Sequence, residues 1–303
     1  MPPPDDSGRA KPLSLALSGG GAKCAAQIGV LAVLEEARLP VGALAGSSGG
    51  GMVAILYGLG LTPQAILDYF ASTHLLEVWE LDPDRRAIFG TEKIRARIGS
   101  AVGDKTFSDL RIPVTAVAAD MVTKREVDIS SGPLVDAMLA TMAIPVIFAP
   151  VVHGSVTLVD GGIINPLPVD VARRQGPRVV AVDVLHDSLH TAASQIFEAR
   201  GPMRYADEVV RRLGMKAMLD SANEAVTLLT LRLAELGLRL YPPDVLLQPP
   251  VGSVGLFAFD LANQAFQAGE AAARAALPEL EALAHPSARA RLASAWRHAR
   301  RSR

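Results

Sequence analysis

Along the first third of the chain, short apolar runs alternate with glycine turns and with stretches whose apolar residues recur at helical spacing. Leu13–Leu17 reads as a strand, Ser18–Gly21 as a turn and 22–37 as a helix. Val41–Ala45 reads as a second strand ending in another glycine-rich turn, and 49–59 as a buried helix. Later apolar runs at Val114–Ala119, Val156–Val159 and Val179–Val184 alternate with helical stretches near 62–73, 91–98 and 132–142. This alternation predicts an α/β fold with three layers, α/β/α, around a mostly parallel central sheet. The pattern from 203 to 240 is long and helical, and 259–283 and 287–300 predict further helices. No linker interrupts the chain, so one domain is expected over 12–285, with 190–240 embedded as a helical insertion. A disordered leader (1–11) and a basic tail (286–303) are expected to flank it.

Composition narrows the function classes. Half of the 303 residues are hydrophobic and 20% are charged, which supplies a sizeable core and excludes disorder for most of the chain. A single cysteine, Cys24, excludes a disulfide framework and a cysteine-based structural zinc site within one chain. The net charge of −1 excludes a whole-molecule electrostatic nucleic-acid binder. It conceals a split, because six arginines after His285 give the tail +6 and leave −7 on the rest. That split suggests peripheral contact with an anionic membrane, the alternative being a solvated terminus. The longest apolar stretches, 52–61 and 144–152, are half of what a spanning helix needs, and no secretory signal opens the chain. A cytoplasmic protein, at most peripheral at the membrane, is expected. The mean hydropathy of +0.26 leaves room for an apolar pocket.

Two glycine turns carry candidate chemistry. In Ser18–Cys24 the glycines Gly19, Gly20 and Gly21 leave backbone N–H groups unobstructed just before a helix, a setting suited to a phosphate or an oxyanion. The dinucleotide fingerprint is broken, since Cys24 stands at its last glycine position, and Lys23 comes too early for a phosphate loop. A purely structural turn stays open as the other reading. The second turn holds Gly46-x-Ser48-x-Gly50 between a strand and a helix, the setting in which a sharp elbow exposes a nucleophilic serine. Such a serine needs a base. Of six histidines, His153 is the best placed, in a loop before a strand. Asp160, in Val159-Asp160-Gly161-Gly162, is the stronger candidate, although Asp-Gly alone also signals a hairpin turn. The charged turn Asp84-Arg85-Arg86 would meet a headgroup or simply face solvent.

These blocks together resemble the patatin-like phospholipases. The glycine turn Gly19–Lys23, the elbow Gly46–Gly50 and Asp160-Gly161-Gly162 occur in the family's order, joined by Ala143–Pro150 and Asn165–Val169. The resemblance runs from Leu13 to about Leu185 and more weakly through 269–280. It implies a serine lipid acyl hydrolase, phospholipase A or lysophospholipase-like, acting on lipid or other acyl esters with neither metal nor organic cofactor. Ser48 would be the nucleophile and Asp160 its direct base, a dyad without histidine. Gly20, Gly21 and Gly19 would form the oxyanion hole, and Gly46, Gly50, Gly161 and Gly162 would support the motifs. The sequence departs from the family at Cys24, usually glycine there, and at Gly49, usually alanine. Cys24 is either a mildly reactive thiol at a helix start or an inert buried one. The apolar stretch 203–240 would cover an acyl groove or pack in the core. The alternative function is a non-catalytic, membrane-recruited regulatory protein on the same fold, and nucleotide binding by the first turn is a third.

Overall fold

The computed structural model describes residues 9–73, 80, 82–84, 86–189 and 216–285. The basic tail, most of the leader and the first part of the expected helical insertion lie outside the described residues. The first strand, β1 (Leu13–Leu17), is fully buried and pairs in parallel with β2 (Val41–Ser47) on one side and β7 (Val179–Val182) on the other. Outward from β7 lies β8 (Val245–Leu247), also parallel. Outward from β2 lies β3 (Val114–Asp120), parallel to it. The sheet is completed by three antiparallel members, β4 (Arg125–Ile129), β5 (Val151–His153) and β6 (Val156–Asp160), giving the order β5-β6-β3-β2-β1-β7-β8 with β4 attached to β3. The fold is thus α/β with a mixed, mostly parallel sheet, as the alternation predicts.

Strand periodicity explains the layers. Leu13, Leu15 and Leu17 of β1 point into one core with Leu44, Val180 and Val182, while Ala16 points to the other face with Ala45, Val179 and Ala181. The larger core is covered by α1 (Ala25–Glu36), α2 (Gly49–Gly58), α3 (Pro63–Ala71), α4 (Glu92–Val102), α5 (Leu134–Met142) and α8 (Ala262–Ala275). On the smaller, alanine-rich face lie α6 (Val169–Gln175) and α7 (Lys216–Leu240), whose Ala234 is buried. A short α9 (Leu277–Ala284) follows α8. Helices α1 and α8 pack so closely that a Cβ on Gly29 would sit 2.1 Å from the Phe266 carbonyl oxygen, and one on Gly269 1.8 Å from that of Ala26. Among the described residues no helix is long and apolar enough to cross a membrane.

The structure departs from the sequence reading in three ways. The helix expected from 22 begins at Ala25, because Gly21–Cys24 forms a tight 3-10 turn first. The helix expected over 259–283 is broken, with Pro278 in the first turn of α9 starting a new one. Asp160-Gly161 is no hairpin: β6 ends at Asp160 and a 3-10 turn, Gly161–Ile163, follows. The alternation also gave no sign of β4, β5, β8 or α6. β4 lies at an edge with none of its residues buried, and the others are too short to set a period.

Candidate active site

The sheet itself brings the two candidate residues together. Ala116 and Val117 of β3 pair with both β2 and β4, so those two strands flank β3 on opposite edges. Ala118–Asp120 pair with both β4 and β6, which puts β6 on the same edge as β2. β2 runs parallel to β3 and ends with Ser47 opposite Val117, whereas β6 runs antiparallel and ends with Asp160 opposite Ala118. The two strands therefore meet end to end. Ser48 leaves one end, and Asp160 closes the other.

Ser48 sits on a strained elbow, with φ 53° and ψ −129° between β2 and α2. A non-glycine residue with positive φ persists only where its surroundings hold it. Here its N–H donates to Thr141 Oγ1 at 2.9 Å, and the Thr141 hydroxyl donates to the Val117 carbonyl at 2.6 Å, which ties the elbow to α5 and β3. The flanking glycines are required by backbone contact. A Cβ on Gly46 would lie 2.4 Å from the Gly50 oxygen, one on Gly50 2.5 Å from that of Leu17, and one on Gly161 2.4 Å from that of Val117.

Ser48 Oγ donates to Asp160 Oδ2 at 2.6 Å, while Asp160 Oδ1 accepts from the Gly162 N–H at 2.7 Å. Both residues are buried, at 8% and 4% exposed. Burial pushes the Asp160 carboxyl up from 3.8 to about 6, against the opposing pull of the Ser48 and Gly162 hydrogen bonds. No histidine shares this pair among the described hydrogen bonds. His153 is the last residue of β5, and His74, His190 and His298 lie outside the described residues.

The glycine turn lies beside the serine, since a Cβ on Gly19 would be 3.1 Å from that of Ser48. Gly20 (φ 149°) and Gly21 (φ 57°) take conformations that side chains disfavour. Of the three candidate donors Gly19 is already engaged, its N–H given to the Pro166 carbonyl at 3.0 Å. No described hydrogen bond engages the N–H of Gly20 or Gly21. Cys24 is fully buried, and burial raises its thiol pKa, which favours the reading of an inert buried thiol.

Ser48, Gly21 and Gly49 open onto a cleft. Its walls are almost wholly apolar, built from Met52, Phe70, Ile94, Ile144, Phe148 and Phe257 among others. No described residue of the 203–240 stretch lines it, and 203–215 lie outside the described residues. In its described part α7 instead lines a separate cavity with Asp183, Leu185 and Gln248. Arg86 is paired with Asp84 and Asp82 and is not among the cleft residues, while Arg85 lies outside the described residues. Sequence reasoning missed Thr141 and the Pro166 carbonyl, which no motif marks. It also passed over the Gly49 N–H, which the elbow pattern itself would have suggested as the donor after the nucleophile. Among the described residues no cluster of three or more His, Cys, Asp or Glu is arranged to hold a metal ion.

Residues 15–173, which span both glycine turns and Asp160, match the patatin-like phospholipase family. The chain belongs to that family. An NTE family protein of Mycobacterium tuberculosis is 37% identical over 218 residues, covering 70% of this chain and 56% of its own length. A second mycobacterial NTE family protein is 28% identical over 275 residues, covering 88% of this chain and 46% of its own. Patatin-like phospholipase domain-containing protein 6 of Mus musculus is 33% identical over 181 residues, 57% of this chain and 13% of that protein. The chain thus spans about half the length of these mycobacterial relatives. Among solved structures, VipD from Legionella pneumophila shares the fold with a TM-score of 0.50 at 14% identity, over 90% of this chain and 67% of that one. The patatin-like domain is therefore seen here on a fold shared beyond recognisable sequence.

Proposed function

We propose that this patatin-like domain is a serine lipid acyl hydrolase working through Ser48 and Asp160. The reading rests on the 2.6 Å hydrogen bond from Ser48 Oγ to a buried carboxylate at the foot of an apolar cleft. Ser48 Oγ attacks the ester carbonyl as its proton passes to Asp160 Oδ2. The N–H groups of Gly20 and Gly21, with that of Gly49 at the head of α2, face the oxygen on which charge develops. Collapse of the tetrahedral adduct returns the proton from Asp160 to the departing alcohol and leaves Ser48 acylated. Water then attacks the acyl group, giving its proton to Asp160, and the carboxylic acid leaves as Ser48 regains its hydrogen. A base near 6 is ionised at neutral pH yet basic enough to accept this proton, which supports a direct serine–aspartate pair. The apolar walls suit a fatty acyl chain, in a phospholipase A or lysophospholipase-like reaction.

A panel of phospholipids, lysophospholipids and neutral esters, assayed with wild type and Ser48→Ala, tests this directly. Hydrolysis of at least one lipid by wild type, lost by at least about 10³-fold in Ser48→Ala at unchanged circular dichroism, is expected. Retention of the wild-type rate by the variant would refute the nucleophile. Failure of folded wild type to take a fluorophosphonate label on Ser48 would point to a binding protein instead.

A further inference from the structure

One cation stands among the apolar residues of the cleft. Arg97, on α4, is the sole charged side chain among the described residues lining it. Its guanidinium lies 4.8 Å from the centre of the Tyr69 ring and is fixed at one nitrogen, Nη2, which donates to the Tyr69 carbonyl, Ser72 Oγ and Thr73 Oγ1 at 2.8, 3.1 and 3.0 Å. None of these acceptors is a carboxylate. Arg95, Arg173, Arg174 and Arg274, by contrast, each donate to an acid. Arg97 Nε is buried without a hydrogen-bond partner, and no described hydrogen bond involves Nη1. The unmatched Nε is closed off from a ligand, whereas Nη1 is neither engaged nor among the buried unmatched atoms and is the donor that an acceptor arriving with a ligand can reach.

We propose that Arg97 is a specificity-determining residue that binds the anionic phosphate of an acyl ester whose chain lies against the apolar walls. The planar guanidinium, held in advance through Tyr69, Ser72 and Thr73, is suited to phosphate oxygens. A neutral ester of the same chain would leave it unmatched. The proposal rests on the Ser48–Asp160 hydrolase reading and adds the charge of the preferred substrate.

The test compares a lysophosphatidylglycerol with a monoacylglycerol of the same acyl chain, using wild type, Arg97→Met and Arg97→Lys. Arg97→Met is expected to lower kcat/KM on the phosphate ester roughly 10–100-fold, mainly through KM, with the monoacylglycerol within about twofold. Arg97→Lys should recover part of the loss. An equal loss on both esters would make Arg97 only a staple between α3 and α4 and overturn the proposal, as would no loss on either. Calorimetric binding of the two lipids to Ser48→Ala, with and without Arg97→Met, reads the same preference without turnover. Competition by inorganic phosphate against the monoacylglycerol distinguishes a site for free phosphate from one for the lipid-borne group. A wild type that hydrolyses neither ester but still prefers the phosphate lipid in binding would refute the hydrolase reading alone. Equal binding of both lipids would refute the role of Arg97.

Discussion

At Asp160 the requirements of the proposed catalysis and of stability conflict. Its carboxyl is held near 6 in the folded chain against 3.8 when free, so the folded state favours the protonated form. The contribution of this group to stability is therefore greatest below about pH 3.8 and is lost as pH rises through 6. Asp160→Asn should abolish turnover while raising stability by about 1–3 kcal/mol at pH 8, with the gain vanishing near pH 4. Thermal melts of both proteins across that range check it. For the same reason kcat/KM of the wild type should fall tenfold per pH unit below about 6. Cys24 and Gly49, the two departures from the family pattern, form a single packing arrangement. A Cβ added at Gly49 would lie 2.8 Å from Cys24 Sγ, so the thiol fills the space that an alanine there would take. Gly49→Ala alone should cost about 1–3 kcal/mol in urea denaturation, and Cys24→Gly in the same chain should recover most of it.

The elements differ in how legibly the sequence announced them. Strands β1 and β2 and helices α1 and α2 are apolar and lie beside glycine turns, and β3 is a plain apolar run, so the alternation and a mostly parallel sheet could be read from them, but not the order of the strands. The elbow and Asp160 were legible for a related reason. Gly46, Gly50 and Gly161 stand where backbones meet too closely for a side chain, and such close approaches leave glycine in the sequence as a trace. Thr141 leaves none. It is one threonine near the end of an apolar helix, and its work in holding Ser48 N–H and the Val117 carbonyl exists only once α5 lies against β3. The hydrogen bond from Gly19 to the Pro166 carbonyl was hidden for the same reason, because it joins turns 147 positions apart. A triple-glycine string shows that N–H groups are unobstructed, but not which of them are already taken.

At the scale of the whole molecule, the apolar cleft was foreshadowed only by a hydropathy above that of most globular chains, because its lining comes from six separate stretches between Gly21 and Phe259. The charge split belongs to this scale too. With +6 after His285 on a body of −7, the tail should add salt-sensitive binding to anionic vesicles, each arginine contributing roughly 1 kcal/mol near the surface. Cosedimentation at low and high salt, with and without residues 286–303, tests this. Undiminished binding by the shortened chain would count against it. The end-to-end meeting of β2 and β6 on one edge of β3 also sets a timetable for biosynthesis. Ser48 and Asp160 are 112 residues apart, and β3, the strand that aligns them, lies between. A nascent chain contains Ser48 long before either Thr141, which holds its elbow, or Asp160, the residue proposed to take its proton, has been made. The proposed ester cleavage would then switch on only as β6 docks, which would keep the growing polypeptide inactive.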